Sequence, residues 1–147
     1  MIKKLSLLVL SAILATGCAY NHVKKSDNAS FSDIKKVCFE TNQTQNGNPL
    51  MEDLINKSLS DLGIETQIVL SKAQTDTSDC SHYLKYSART KKNRDEFKRL
   101  HISFFRVIHN ADSYDRVGEI STSGINKYAD PNTAPKIHSL ISQMVGK

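Results

Sequence analysis

Apolar positions change their spacing several times along the chain, and each change marks an element. Ile34-Lys35-Lys36-Val37-Cys38-Phe39 alternates imperfectly and predicts a first strand with Val37 and Phe39 on one face. A polar, Gly-containing stretch over 41–48 reads as a loop. Asn48 suits a helix N-cap, where a short acceptor satisfies free backbone N–H groups, and Pro49 suits the first helical position. Leu50, Met51, Leu54, Ile55, Ser58, Leu59 and Leu62 then fall on one helical stripe. Gly63 stands where a left-handed cap ends such a helix. Residues 64–70 (IETQIVL) read as a second strand, and the strand–helix–strand order predicts a right-handed unit with parallel strands.

Residues 71–81 are polar and read as a loop. Leu84, Tyr86 and Ala88 alternate with Lys85, Ser87 and Arg89, the signature of a half-exposed strand. A polar turn over 91–96 leads into a long strand, Phe97 to Ile108, whose alternation slips at Phe104-Phe105 and suggests a bulge. Asn110-Ala111-Asp112-Ser113 turns the chain back into a strand from Tyr114 to Thr122, weakened by Gly118. Ile137, Leu140, Ile141, Met144 and Val145 form the apolar face of a final helix, with Pro135 near its start. The expected order is β-α-β-β-β-β-α: an α+β domain with a mixed sheet of about five strands and two helices packed on one face.

The N-terminal segment breaks this pattern. Met1-Ile2-Lys3-Lys4 is a basic head, Leu5 to Leu14 is apolar, and Ala15-Thr16-Gly17 are small. Ten apolar residues span only about 15 Å as a helix, half of a bilayer core, so the run reads as an export signal. Cys18 directly after Gly17 resembles the lipobox of bacterial lipoproteins. The resemblance implies cleavage between Gly17 and Cys18 and acylation of Cys18. Several acyl chains give stable attachment where one does not. Ala19, at the place where an Asp retains such proteins in the inner membrane, implies the outer membrane, facing the periplasm. Residues 1–17 are thus expected to be a signal peptide and 18–32 a lipidated N-terminus and flexible tether. The globular domain is expected over 33–147.

With Cys18 used, Cys38 and Cys80 remain as an even pair in an oxidising compartment, and a disulfide between them is expected. The whole chain of 147 residues is about one domain long and carries 20 basic residues against 15 acidic, a net +5. Removing Lys3 and Lys4 with the signal leaves 18 against 15, or +3. That modest balance, in an exported protein, argues against nucleic acid as a partner.

The landmarks together resemble the Sbal-type family of small bacterial lipoproteins. The matching features are the lipobox, Lys36-Val37-Cys38-Phe39 and the helix ending Leu62-Gly63-Ile64. Asp79-Cys80, the tract Tyr83 to Arg89 and the meander after it match as well. The resemblance implies this fold and location and supplies no substrate.

Chemistry-bearing motifs are absent from the sequence: there is no G-x-S-x-G, H-E-x-x-H, Walker A or G-x-G-x-x-G. No cofactor and no metal are expected. His101 and His109 share a face of the expected strand but stand roughly 27 Å apart. The chain is expected not to be an enzyme. The one surface feature above background is basic: Lys85, Arg89, Lys91, Lys92, Arg94, Lys98 and Arg99, with two acids among them. The default for such a cluster is a charged sheet edge that discourages edge-to-edge pairing. The alternative is a site for an anionic partner. The leading expectation is a non-catalytic binding or structural module. It would be anchored in the membrane through Cys18 and would meet an envelope protein or an anionic envelope polymer. The runner-up is a carrier of a small apolar or amphipathic ligand between the helices and the sheet, lined by Phe39, Phe104 and Phe105.

Overall fold

A computed structural model describes residues 20–26 and 31–147. Cys18, the signal segment and residues 27–30 lie outside the described residues. In chain order the elements are β1 (Asn21–Lys25), β2 (Lys36–Glu40), α1 (Pro49–Asp61), β3 (Glu65–Val69) and α2 (Lys72–Asp76). They continue with β4 (His82–Thr90), β5 (Phe97–Arg106), β6 (Asp115–Ser123) and α3 (Thr133–Val145). The strands form one sheet in the order β1-β6-β5-β4-β2-β3. β2 lies parallel to both β3 and β4, and the other neighbours are antiparallel. The fold is α+β, as the pattern predicts.

Local chemistry explains the helix ends. Asn48 Oδ1 accepts from the Leu50 and Met51 N–H groups at 2.9 and 3.3 Å, and Pro49 fills the first position. Gly63 ends α1 at φ 75°, a conformation that costs a residue with a Cβ far more. Met51, Leu54, Ile55 and Leu59 of α1 and Ile137, Leu140, Ile141 and Met144 of α3 are buried. They join Val37, Phe39, Leu84, Tyr86, Phe104 and Ile120 in one core, so both long helices cover the same face of the sheet.

Four expectations are corrected. The tether expected over 18–32 contains a strand: β1 pairs along its whole length with β6, and Val23 packs against the main core. One inward apolar residue between polar neighbours is too weak a pattern to read, and its partner strand lies far along the chain. The sheet therefore has six strands. A third, short helix, α2, stands in the expected loop, closed by a Lys72–Asp76 ion pair at 2.8 Å one turn apart. β5 stops at Arg106, which leaves His109 in the following loop, where Nδ1 meets the Asp76 carbonyl at 3.1 Å. The register does slip between Phe104 and Phe105, but the extra residue belongs to the partner strand: Phe104 faces Gly118 and Phe105 faces Arg116.

The Cys38–Cys80 disulfide is present and joins β2 to the approach to β4. It sits on the face opposite α1 and α3, in a small second core with Val69, Tyr83 and Tyr114. Phe39 and Phe104 are completely enclosed on the helix side, while Phe105 belongs to this second cluster. The three phenylalanines therefore do not line one ligand space.

Candidate functional site

Alternation along β4, β5 and β6 sends Leu84, Tyr86, Ala88, Leu100, Ile102 and Ile120 to the helices. The residues between them point to the uncovered face, and strand register sorts them into rows. Lys85, Ser103, Glu119 and Lys24 are successive cross-strand neighbours. One pleat further, Ser87, His101, Ser121 and His22 form a second row. Arg89, Arg99 and Ser123 form a third. Tyr20 completes it, held to Ser123 by two hydrogen bonds of 3.1 and 3.0 Å. At the far end of the same face stand Tyr83, Phe105 and Tyr114 over the disulfide.

The second row is organised around His101. Its Nδ1 lies 2.8 Å from Ser121 Oγ and its Nε2 lies 3.1 Å from Ser103 Oγ. A neutral imidazole accepts at one nitrogen and donates at the other, so the two hydroxyls fix the ring. Among the described residues no carboxylate contacts this ring. Glu119, one row away, pairs with Arg116 at 3.4 Å. The arrangement lacks the acid that orients a general base in nucleophilic catalysis, and it offers hydroxyl donors and acceptors on a flat surface.

The structure divides the seven basic residues into two sets. Lys85 Nζ stands 3.9 Å from Glu40 Oε1, and Lys91 Nζ stands 2.6 Å from Glu96 Oε1. The Lys91 hydrogen bond holds the Glu96 carboxyl below the usual carboxylate range. Burial holds Glu40 above that range, against the pull of Lys85. Arg94 donates to the Gly47 carbonyl at 2.7 Å and so serves the 41–48 loop. Arg89, Lys92, Lys98 and Arg99, in contrast, have no acidic partner within ion-pair distance among the described residues. Arg89 and Arg99 are direct cross-strand neighbours, and like charges so placed repel. They border a cleft of about 260 Å³ with Tyr20, Asn46, Ser87, His101 and Ser121. Asn46 reaches it because its carbonyl accepts from the Ala88 N–H at 2.8 Å. Among the described residues no group of three potential metal ligands occurs.

Sequence reasoning placed Arg89 and Arg99 in a basic cluster and missed Tyr20, Asn46 and the Ser87–His101–Ser121 row. The signal for the row is the shared parity of 87 and 89, of 99, 101 and 103, and of 119, 121 and 123.

No protein-family model and no curated protein matches the chain. Solved structures do. The PelC dodecamer from Paraburkholderia phytofirmans superposes with a TM-score of 0.52 at 14% identity, covering 86% of this chain and 94% of that one. A DUF4136 family protein from Bacteroides thetaiotaomicron VPI-5482 gives a TM-score of 0.52 at 6% identity, covering 87% and 94%. At these identities the likeness is one of fold.

Proposed function

We propose that this chain is a lipid-anchored envelope lipoprotein on the periplasmic side of the outer membrane that works by binding, not by catalysis. The observation that carries the reading is the one-sided cladding of the sheet. Helices α1 and α3 pack on one face, and the other presents hydroxyls, one aromatic cluster and, at one end, Arg89 and Arg99 without acidic partners among the described residues. A surface that expensive in uncompensated charge makes sense as a receiving face for a protein or anionic polymer of the envelope. The Gly17-Cys18 lipobox supports the anchor, and the Cys38–Cys80 disulfide fits an oxidising compartment. No helix among the described residues is long and apolar enough to cross a membrane.

The test has two parts. Mass spectrometry of the native protein should find an acylated Cys18 as first residue, in the outer-membrane fraction; an intact Met1 with free thiols overturns the anchor. A photo-crosslinker at Lys85, exposed on the uncovered face, should capture an envelope component that one at Lys57 on α1 does not. Equal capture from both positions overturns the binding face.

A further inference from the structure

The uncovered face has one end that coincides with the chain's own point of attachment. Tyr20 is fixed there: its N–H donates to Ser123 Oγ and its carbonyl accepts from the Ser123 N–H. Two peptide units separate Tyr20 from Cys18, so their Cα atoms lie at most about 7 Å apart. The strand β1 that follows is locked onto β6, which leaves no slack to hold the domain away from the anchored residue. Four cations without acidic partners among the described residues stand at this same end. Arg89 is the second-last residue of β4, Lys92 lies in the β4–β5 turn, and Lys98 and Arg99 follow Phe97 at the start of β5. Asp95 lies in the same turn, while Asp112 and Asp115 lie toward the opposite end of β5, roughly 23 Å along the strand from Arg99.

Resting on the lipid-anchor reading above, we propose that the cleft bounded by Tyr20, Asn46, Arg89 and Arg99 binds anionic phospholipid headgroups, seating this end of the sheet on the leaflet that holds the acyl chains. Two guanidinium groups on directly opposed strand positions supply forked donors suited to a phosphate, and Asn46, Ser87 and Ser121 add neutral polar groups. The surface potential of an anionic leaflet acts within a Debye length, about 8 Å, and the attachment point lies inside that range. Tyr20, 47% exposed, is the residue type that settles where apolar and aqueous layers meet. A soluble polyanion would satisfy the same donors, but only a headgroup is delivered to the cleft by the covalent anchor itself.

The test uses the native acylated full chain in phosphatidylcholine vesicles with and without phosphatidylglycerol, reading amide hydrogen exchange in the β4–β5 hairpin. Each cation near an anionic leaflet strengthens docking about fivefold, so two give about 25-fold, and exchange at the hairpin should slow by about that factor. High salt should abolish the slowing, and so should Arg89→Glu with Arg99→Glu. Lys35→Glu with Lys57→Glu, an equal charge change at exposed positions away from the cleft, should not. Exchange in β2 and α1 reports whether the double variant keeps its fold. Equal exchange in the two vesicle types overturns the inference, as does protection in the hairpin by added polyphosphate where phosphatidylglycerol gives none. The mass of Cys18 is read on the same sample: an acylated chain with no headgroup effect sinks this inference alone, and an unacylated one sinks the anchor reading beneath it.

Discussion

Gly118 of β6 lies directly beneath the thioether of Met144 on α3. A Cβ at this glycine would stand 2.4 Å from Met144 Sδ and 3.2 Å from the Lys24 carbonyl oxygen. Met144 is completely enclosed, so its sulfur has little room to withdraw. The missing side chain lets α3 settle onto the sheet at the place where β1 pairs with β6. In sequence the same glycine reads only as a weakness in a strand.

Gly118→Ala is therefore expected to destabilise the fold by about 1–3 kcal/mol, the usual range for an overpacked core. Met144→Ala alone should cost about 2–5 kcal/mol through the cavity it leaves. Combined, the two should cost clearly less than their sum, because the added methyl enters the space the thioether vacates. Denaturant unfolding of the four proteins in the cycle measures the coupling. Strict additivity would show that the close approach carries no energy.

The disulfide should matter as much as a large core side chain. Cys38 and Cys80 are separated by 42 residues in sequence. Closing a loop of that length lowers the entropy of the unfolded chain by the equivalent of about 4 kcal/mol. The bridge also pins β2 beside β4, a parallel contact of only three residue pairs. Cys38→Ala with Cys80→Ala should lower unfolding stability by about this amount, and reductant should act on the parent and not on the double variant. A loss under about 1 kcal/mol would mean that the unfolded chain is already held compact.

Elements with a local period were legible in the sequence, and those that depend on distant partners were not. The stripe of α1, its Asn48 and Gly63 ends and the alternation of β4 all lie within a few residues of their own signals. β1 has one inward residue, Val23, and exists because β6, about a hundred residues away, offers an edge. The cleft is harder still. That Arg89 stands opposite Arg99 depends on a register shift between Arg89 and Thr90, which no local pattern announces. Arg94 looked equivalent to Arg89 in sequence, yet its partner is the Gly47 carbonyl, 47 positions upstream.

The 41–48 loop that positions Asn46 hangs on a polar network under α1. Glu52 Oε1 accepts from the Tyr86 hydroxyl at 2.6 Å, the Thr41 hydroxyl at 2.9 Å and the Asn42 N–H at 3.1 Å. The Tyr86 oxygen in turn accepts from the Asn48 N–H at 2.9 Å. Burial, reinforced by Glu52, raises the Tyr86 phenol above its ordinary range, so it stays a donor at neutral pH. Tyr86→Phe keeps the ring and leaves the Asn48 N–H and one carboxylate site without a partner. A cost of about 1–3 kcal/mol is expected, with faster amide exchange at Asn48 than elsewhere in the core. Unchanged stability would mean that water replaces the hydroxyl.

Arg89 and Arg99 carry a cost in the isolated domain that a partner would relieve. Arg99→Glu converts a repelling cross-strand pair into an attracting one. It is expected to raise stability by about 0.2–1 kcal/mol, an effect that shrinks as salt is added. A stabilising change at a surface position that also abolishes binding is the pattern expected of a residue kept for function. Destabilisation by Arg99→Glu would reveal a partner for Arg99 within the fold.

Glu40 gives the fold a pH dependence of opposite sign to that of most carboxylates. Burial raises its carboxyl above the ordinary 4.5, and the Lys85 ammonium 3.9 Å away only partly offsets this. An acid whose folded value is raised favours folding while protonated and loses that contribution as pH climbs through the folded value. Asp79 and Asp76 behave in the ordinary way. Hydrogen bonds from Lys36 and from Lys72 hold them below 3.8, so their contribution is lost as acid is added below that range. Glu40→Gln removes only the first effect. The variant should melt higher than the parent at pH 7, and the gap should close as pH falls below 4.5, where both side chains are neutral. Thermal unfolding of the pair from pH 3.5 to 8 separates the two outcomes: a variant that melts lower at pH 7 would show that the Lys85 attraction outweighs the burial of the charge.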